Sequence, residues 1–296
     1  MKLIALILGL SLEHVATQVL HLRELHWFDA YFDLSLKRLK ALNAWLTYLA
    51  IILILAVPMI PVLWASIVLR GTAVPWDLPY LLFAVLIVFF CLGPRDLGTE
   101  VDEYCNALSR GDTERSEAVL TELCEGDHSG ADDIDAVEEA IFVQATNRIF
   151  GVILWFVVLG PVGAWLFRVS DLLRQRVAYE TARNPDNGTG ALAAVEMIHG
   201  VLVWIPARLA AIGYAFSGSF DDALNCWRNY ELQAGLPFHR SNDEIVACVG
   251  KAAMTGFLEE APNSSAAARN AMRLVTRTVF IWITVMAFMT LFGWAP

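Results

Sequence analysis

Arg208 is the one Lys, Arg, Asp or Glu in Met197–Phe220, a run of 24 residues reading MIHGVLVWIPARLAAIGYAFSGSF. A guanidinium stays protonated and carries five donors in a planar fork. Left bare in hydrocarbon it costs at least ~2.5–3.5 kcal/mol, so Arg208 needs water, a phosphate or a carboxylate. Arg168 and Asp171, three apart, share one helix face. Glu139, Gln144 and Asn147 recur at near-helical spacing at the mouth of another apolar segment. Converging, these ends would form a pocket of two guanidinium groups and two carboxylates. Such a pocket suits a phosphate-bearing anion, and its carboxylates suit a magnesium ion. The competing reading is a closed polar core of ordinary ion pairs, Arg168–Asp171 and Glu139–Arg208.

The elements that must position these residues are membrane helices. Hydrophobic residues make up 57% of the 296 and the mean hydropathy is +0.52, above the ~45–50% apolar content of soluble domains. Ala41–Leu69, Leu78–Pro94 and Thr278–Pro296 run 29, 17 and 19 residues without a charge, against the ~20 needed to cross a bilayer. Leu3–Leu22 is a further span. It has no small-x-small cleavage site behind it, which makes it a retained helix rather than a signal peptide. It carries Glu13 at mid-depth, a membrane-buried acid of the kind that faces protein or water.

The expected fold class is all-α, a polytopic membrane bundle with membrane-embedded broken helices and a cytoplasmic helical subdomain. Its parts are residues 1–93 with three N-terminal spans (about 3–22, 45–69 and 78–93), an acidic cytoplasmic subdomain at 94–146, membrane-embedded or re-entrant helices carrying the site at 147–220, cytoplasmic helices at 221–275 and a C-terminal span at 276–296. The basic connector His21–Lys40 orients the chain, with residues 95–277 cytoplasmic. Gly160-Pro161 and Pro206 are expected to break the segments 149–167 and 197–220 into half-helices, because proline removes a helix hydrogen bond.

Between Pro94 and Thr146 stand 15 acidic residues and 3 basic ones. That excludes nucleic acid as a partner and describes a solvated helical subdomain that could dock a cytoplasmic protein. Leu97, Val101, Tyr104, Cys105 and Leu108 form an apolar stripe. Asp112 or Thr113 starts a second helix, Asp132 or Asp133 a third, and Asn263-Ser264-Ser265 the helix that continues into the last span. The five cysteines are single and odd in number, read as buried hydrophobes without a disulfide or zinc framework. No P-loop, GxGxxG, HExxH or GxSxG motif occurs, and no metal site is expected.

Several words occur in an ordered series: Gly93-Pro94-Arg95-Asp96-Leu97, Glu139-Ala140 through Gln144 to Asn147, Gly160-Pro161-Val162-Gly163-Ala164 through Arg168 to Asp171, and Trp204-Ile205-Pro206-Ala207-Arg208-Leu209. On these the chain resembles the AmpE family of inner-membrane proteins, a branch of the CobD/CbiB superfamily, over essentially its whole length. The superfamily's versions read ESxAENxxDG, GxPGAxxYRxxN and W-x-PAR-L. Here Gln144 and Asn147 stand where it has asparagine and aspartate, Asp171 replaces an asparagine, and a late SPNAG-like segment is at best Ser241-Asn242-Asp243-Glu244.

The resemblance adds Arg95 and Trp204 to the ligand-binding candidates Glu139, Asn147, Arg168, Asp171 and Arg208. It implies a multi-pass protein of the bacterial inner membrane. It also implies a regulatory role in β-lactamase induction and cell-wall recycling, or the ATP- and magnesium-dependent amide ligation of the superfamily's cobinamide enzymes. A transporter or a membrane scaffold are the remaining classes. The expected partners are the lipid bilayer, an anionic small molecule and a protein docked on 94–146.

Overall fold

The computed structural model describes residues 3–9, 27–37, 43–70, 78–92, 96–124, 133–183, 189–232, 238–255 and 263–292. Every described element is helical, with no strand among them: α1 (3–9), α2 (Trp27–Lys37), α3 (Ala44–Arg70), α4 (Leu78–Cys91), α5 (Leu97–Arg110), α6 (Thr113–Cys124), α7 (Ile134–Ala145), a π-helical turn (Thr146–Phe150), α8 (Gly151–Leu159), α9 (Pro161–Arg183), α10 (Thr189–Ser217), α11 (Phe220–Leu232), α12 (Phe238–Met254) and α13 (Ser264–Leu291). Among the described residues four stretches are long and apolar enough to cross a membrane: Trp45–Arg70, Ile134–Leu159, Gly190–Ser217 and Ser264–Thr290; Leu78–Cys91 is a shorter apolar helix. With its apolar side chains facing outward, Trp64 67% and Ile67 65% exposed on α3 alone, the protein is a polytopic membrane bundle, since such faces need lipid.

The chain forms two compact units. The first comprises 1–94, 151–202 and 295–296. Helix α9 lies at its centre, with α3, α4 and α8 packed along it and α2 beside it. Helix α3 is 27 residues long with Pro58 and Pro61 inside it. Pro58 cannot donate to the carbonyl of Ile54. The Tyr31 hydroxyl of α2 takes its place, donating to Ile54 O at 2.9 Å. The Trp165 indole of α9 donates to Pro58 O at 3.1 Å; Phe32 stacks on Phe28, and the Trp165 ring meets Phe28 at a tilt.

The second unit comprises 95–150 and 203–294. Its helices begin where short polar side chains can cap them. Asp96 accepts from Gly98 N at 3.4 Å, Asp112 from Arg115 N at 3.1 Å, Asp133 from Ala136 N at 3.1 Å and Asn263 from Ala266 N at 2.9 Å. Gly111 ends α5 in the left-handed region at φ 71°, as a helix-terminating glycine does. Helix α7 packs against α6, α12 and α13, and α11 pairs with α12. Gly250 of α12 meets the ring of Phe142.

Two expectations change. Pro206 does not break its helix: α10 runs unbroken over 29 residues. The carbonyl that Pro206 orphans is that of Leu202, and the Trp155 indole donates to it at 3.0 Å. The Gly160-Pro161 break is present, with Gly160 at φ 71° between α8 and α9. The cysteines also differ from expectation. Cys226 of α11 and Cys248 of α12 form a disulfide, because pairing of these helices joins positions 22 residues apart. Cys91 and Cys105 are buried thiols, as expected, and Cys124 is half-buried. The expected third helix begins at Asp133, and α13 continues from Ser264 through residue 291 in one piece.

Candidate functional site

The first unit holds Arg168 and Asp171 in a buried charge cluster. Gly160 and Pro161 turn the chain from α8 into α9. A Cβ on Gly163 would fall on the carbonyl oxygen of Trp155, and one on Gly151 would fall on the Phe167 ring. The two glycines therefore let α8 and α9 approach closely, which buries the following turn of α9. There Arg168 Nη1 donates to Asp171 Oδ2 at 2.9 Å and Arg174 Nη2 to Oδ1 at 3.1 Å. Gln175 donates to Oδ2 at 3.2 Å, and His199 Nε2 of α10 lies 3.9 Å from Oδ1. Arg168 is 3% exposed and Asp171 0%. Burial alone would raise the Asp171 carboxyl; the Arg174 and Arg168 guanidinium groups outweigh it and hold the group below the usual carboxylate range.

Ser170 Oγ lies 3.0 Å from His199 Nδ1, so serine, histidine and aspartate gather here. They do not form a nucleophilic triad. The Ser170 hydroxyl donates to Phe167 O at 2.7 Å, which commits its hydrogen to the backbone. The histidine then donates from Nδ1 to the serine oxygen, opposite to the direction that activates a nucleophile. The cluster is an anchor in which one carboxylate is clamped by two guanidinium groups.

The second unit holds Arg208, Trp204, Glu139 and Asn147. Arg208 projects one turn beyond Trp204 on α10. Its guanidinium carbon lies 4.3 Å from the centre of the Trp204 ring, and Nη1 donates to Trp204 O at 3.1 Å and to Asn242 Oδ1 of α12 at 2.9 Å. Asn242 is 1% exposed and Trp204 41%. Arg208 is thus half-buried, with its plane set by an indole and its fork aimed by a buried amide. The Trp204–Leu209 word and the Ser241–Glu244 segment, the weakest match in the sequence, meet at this contact.

Glu139 is exposed on α7. It bears on Glu244 of α12, whose carboxyl is raised first by burial and then by the Glu139 charge, against the Arg240 guanidinium. Gln144 has a framework role, donating to Leu123 O at 3.0 Å and accepting from Arg148 Nε at 2.9 Å. Arg148 in turn donates to Glu100 at 2.7 Å. Asn147 is 4% exposed in the π-helical turn, a distortion that recurs at functional sites, and its Oδ1 accepts no hydrogen bond among the described residues. Glu13 and Arg95 lie outside the described residues. Arg168 and Asp171 therefore belong to the first unit, and Glu139, Asn147, Trp204 and Arg208 to the second.

Spacing alone did not select Arg174, Ser170, His199 or Asn242. Arg174 carried a legible signal, standing three residues after Asp171 on the face that Arg168 occupies three residues before it. His199 comes from another helix and left no local trace, and Asn242 was legible only as part of the Ser241–Glu244 segment, with no role attached. Among the described residues no three His, Cys, Asp or Glu side chains are grouped to hold a metal ion.

Comparison with known proteins places the chain. A family described as CobD/Cbib protein matches residues 4–256. The chain belongs to the CobD/CbiB family. A cobalamin biosynthesis protein CobD of Stutzerimonas stutzeri is 28% identical over 246 residues, 76% of this chain and 80% of that protein. The CobD of Chromobacterium violaceum is 25% identical over 214 residues, 67% of each chain. Protein AmpE of Shigella flexneri is 24% identical over 223 residues, 74% of this chain and 76% of AmpE. No solved structure matches the chain. Within the CobD/CbiB family it is an AmpE-like member, with its multi-pass helical architecture.

Proposed function

We propose that this protein is an inner-membrane regulator that binds a phosphate-bearing anion, a nucleotide or a related cell-wall metabolite, through Arg208. The observation that carries the reading is the fixing of Arg208: the Trp204 ring sets its plane and the buried Asn242 amide orients its fork. A guanidinium positioned in advance loses little side-chain entropy when it takes a phosphate. The likeness to AmpE, together with the ordered words of the sequence, supports a role in β-lactamase induction and cell-wall recycling. The acidic helices α5 and α6 are the surface for a cytoplasmic protein that would relay the signal.

The test is a thermal-shift titration of purified protein with ATP and inorganic pyrophosphate, run beside an induction assay in cells. Wild type should be stabilised by one of these anions. Arg208→Ala should remove both the shift and the induction phenotype while keeping its unliganded melting temperature. Full binding and full induction in that variant would overturn the reading.

Amide ligation is the second reading, favoured by the relatives named for cobalamin biosynthesis. It predicts nucleotide turnover by the purified protein with carboxylate and amine substrates present. Binding without turnover would count against it.

A further inference from the structure

The last helix carries a feature that the anion site at Arg208 does not use. Arg269, Arg273 and Arg277 stand at successive intervals of four on α13, and all three are exposed. Side chains at i, i+4 and i+8 share one helix face. With Met272 and Thr276 of the same helix and Val101 and Asp102 of α5, they line a shallow cavity of about 390 Å³. Three guanidinium groups and the Asp102 carboxylate thus share the lining of this hollow. The neighbouring acids of α5 are engaged elsewhere, Glu100 by Arg148 and Glu103 by Arg115.

The same face continues past Arg277 through Phe280, Thr284 and Phe288, each exposed, with Phe280 65% and Phe288 57% open. Helix α13 has 28 residues, so it spans ~42 Å, against ~30 Å of hydrocarbon. Its arginine-bearing turns therefore reach the interface while its aromatic turns stay in the acyl region. The face is basic at headgroup depth and apolar below, an order that matches an anionic lipid and not a soluble phosphate.

We propose that the α5–α13 hollow is a binding site for the phosphodiester headgroup of an anionic phospholipid. The forks of Arg269, Arg273 and Arg277 hold the phosphate, Thr276 adds a hydroxyl, and an acyl chain lies along Phe280 and Phe288. Arginine suits this role better than lysine, because its planar fork takes phosphate oxygens in pairs. A basic residue near an anionic membrane surface strengthens binding about fivefold, so three acting together make tenfold selectivity for anionic over zwitterionic lipid a modest expectation.

The test uses the full chain in detergent, titrated separately with phosphatidylglycerol, phosphatidylcholine and glycerol 3-phosphate, read by thermal shift and by native mass spectrometry of retained lipid. Phosphatidylglycerol should stabilise and stay bound, half-saturating at least tenfold lower than phosphatidylcholine, and glycerol 3-phosphate should do neither. The triple change of Arg269, Arg273 and Arg277 to Gln should raise the phosphatidylglycerol midpoint at least tenfold, and the triple change to Lys should give an intermediate value. Arg208→Ala should leave it unchanged. Equal retention by the Gln triple would overturn the site. Equal retention by the Lys triple would reduce it to an unspecific charged anchor. An arginine-dependent shift with glycerol 3-phosphate would assign the hollow to a soluble phosphate. Should the Gln triple melt early without lipid, Arg273→Gln alone, expected to weaken retention about threefold, decides the same question, and an unchanged midpoint there would count against the site.

Discussion

Trp155 donates its indole N–H to the carbonyl of Leu202 at 3.0 Å, and Leu202 stands four residues before Pro206. The bond explains how a proline sits inside a continuous membrane-type helix. Pro206 supplies no N–H to that carbonyl, and an unmet backbone carbonyl in an apolar setting costs several kcal/mol. Tyr31 does the same for Ile54, four residues before Pro58. In both cases an aromatic donor from another helix restores the bond, so the proline marks a tertiary contact and not a break.

Trp155→Phe should therefore destabilise the protein by about 1–2 kcal/mol, the cost of leaving a part-buried acceptor unmet. Pro206→Ala restores the backbone N–H, so the same Trp155→Phe change should cost much less in that background. Denaturant unfolding in detergent of the four proteins gives the coupling directly. Additive effects would mean that the indole matters only for its packing.

Asp171 is a buried carboxylate that accepts from two guanidinium groups, both near 3 Å. Asp171→Asn keeps the shape and removes the charge. It should destabilise the protein by about 3–5 kcal/mol, because a buried, hydrogen-bonded charge interaction is lost from one side only. The sign of the pH effect follows from the depressed carboxyl. A group whose folded-state pKa lies below its unfolded value contributes stability above the unfolded value of ~3.9, and that contribution is lost as pH falls through the folded value. Melting temperatures should show no loss from this group between pH 8 and 5 and a decline only below about pH 4. Asp171→Asn should flatten that acid limb. A wild-type decline already beginning at pH 6 and abolished by the substitution would show a raised carboxyl instead.

The Cys226–Cys248 bridge closes a loop of 22 residues. Loop-closure entropy gives a bridge of that size about 3 kcal/mol. Dithiothreitol should lower the melting temperature of oxidised wild type and leave Cys226→Ser unaffected, with thiol labelling rising by two per chain on reduction. Equal sensitivity to reductant in wild type and variant would show that the bridge contributes nothing.

Much of this architecture was legible because it is local. Apolar runs gave the membrane helices, Asp133 and Asn263 announced helix starts through their side-chain acceptors, and the spacing of Arg168 and Asp171 gave their ion pair. What failed was long-range. Pro206 reads as a helix breaker until Trp155 is known to reach Leu202, 47 residues away. Cys226 and Cys248 read as single until α11 pairs with α12. The conformational role of the Gly160–Ala164 word was half-visible. The turn at Gly160-Pro161 follows from residue type, whereas the closeness of Gly163 to the Trp155 carbonyl is a packing fact. At Arg208 the charge was evident from sequence and the aim was not, because Asn242 comes from a helix 34 residues on.

That aim yields a prediction with opposite signs for stability and binding. Asn242 is a positioning residue: it touches Arg208 and orients the fork. Asn242→Ala should loosen the guanidinium and weaken binding of ATP or pyrophosphate about three- to tenfold, roughly the net worth of one ordinary hydrogen bond. Asn242→Asp should hold Arg208 more tightly, through a charge-assisted bond. It should nevertheless weaken anion binding further, because its carboxylate neutralises the guanidinium that the ligand needs. Thermal shift measures both quantities on the same samples. The expected order of affinity is wild type, then Ala, then Asp, with the unliganded melting temperature of the Asp variant at or above that of Ala. If affinity instead followed stability, with Asp binding better than Ala, Arg208 would be a structural cation and the ligand would sit elsewhere.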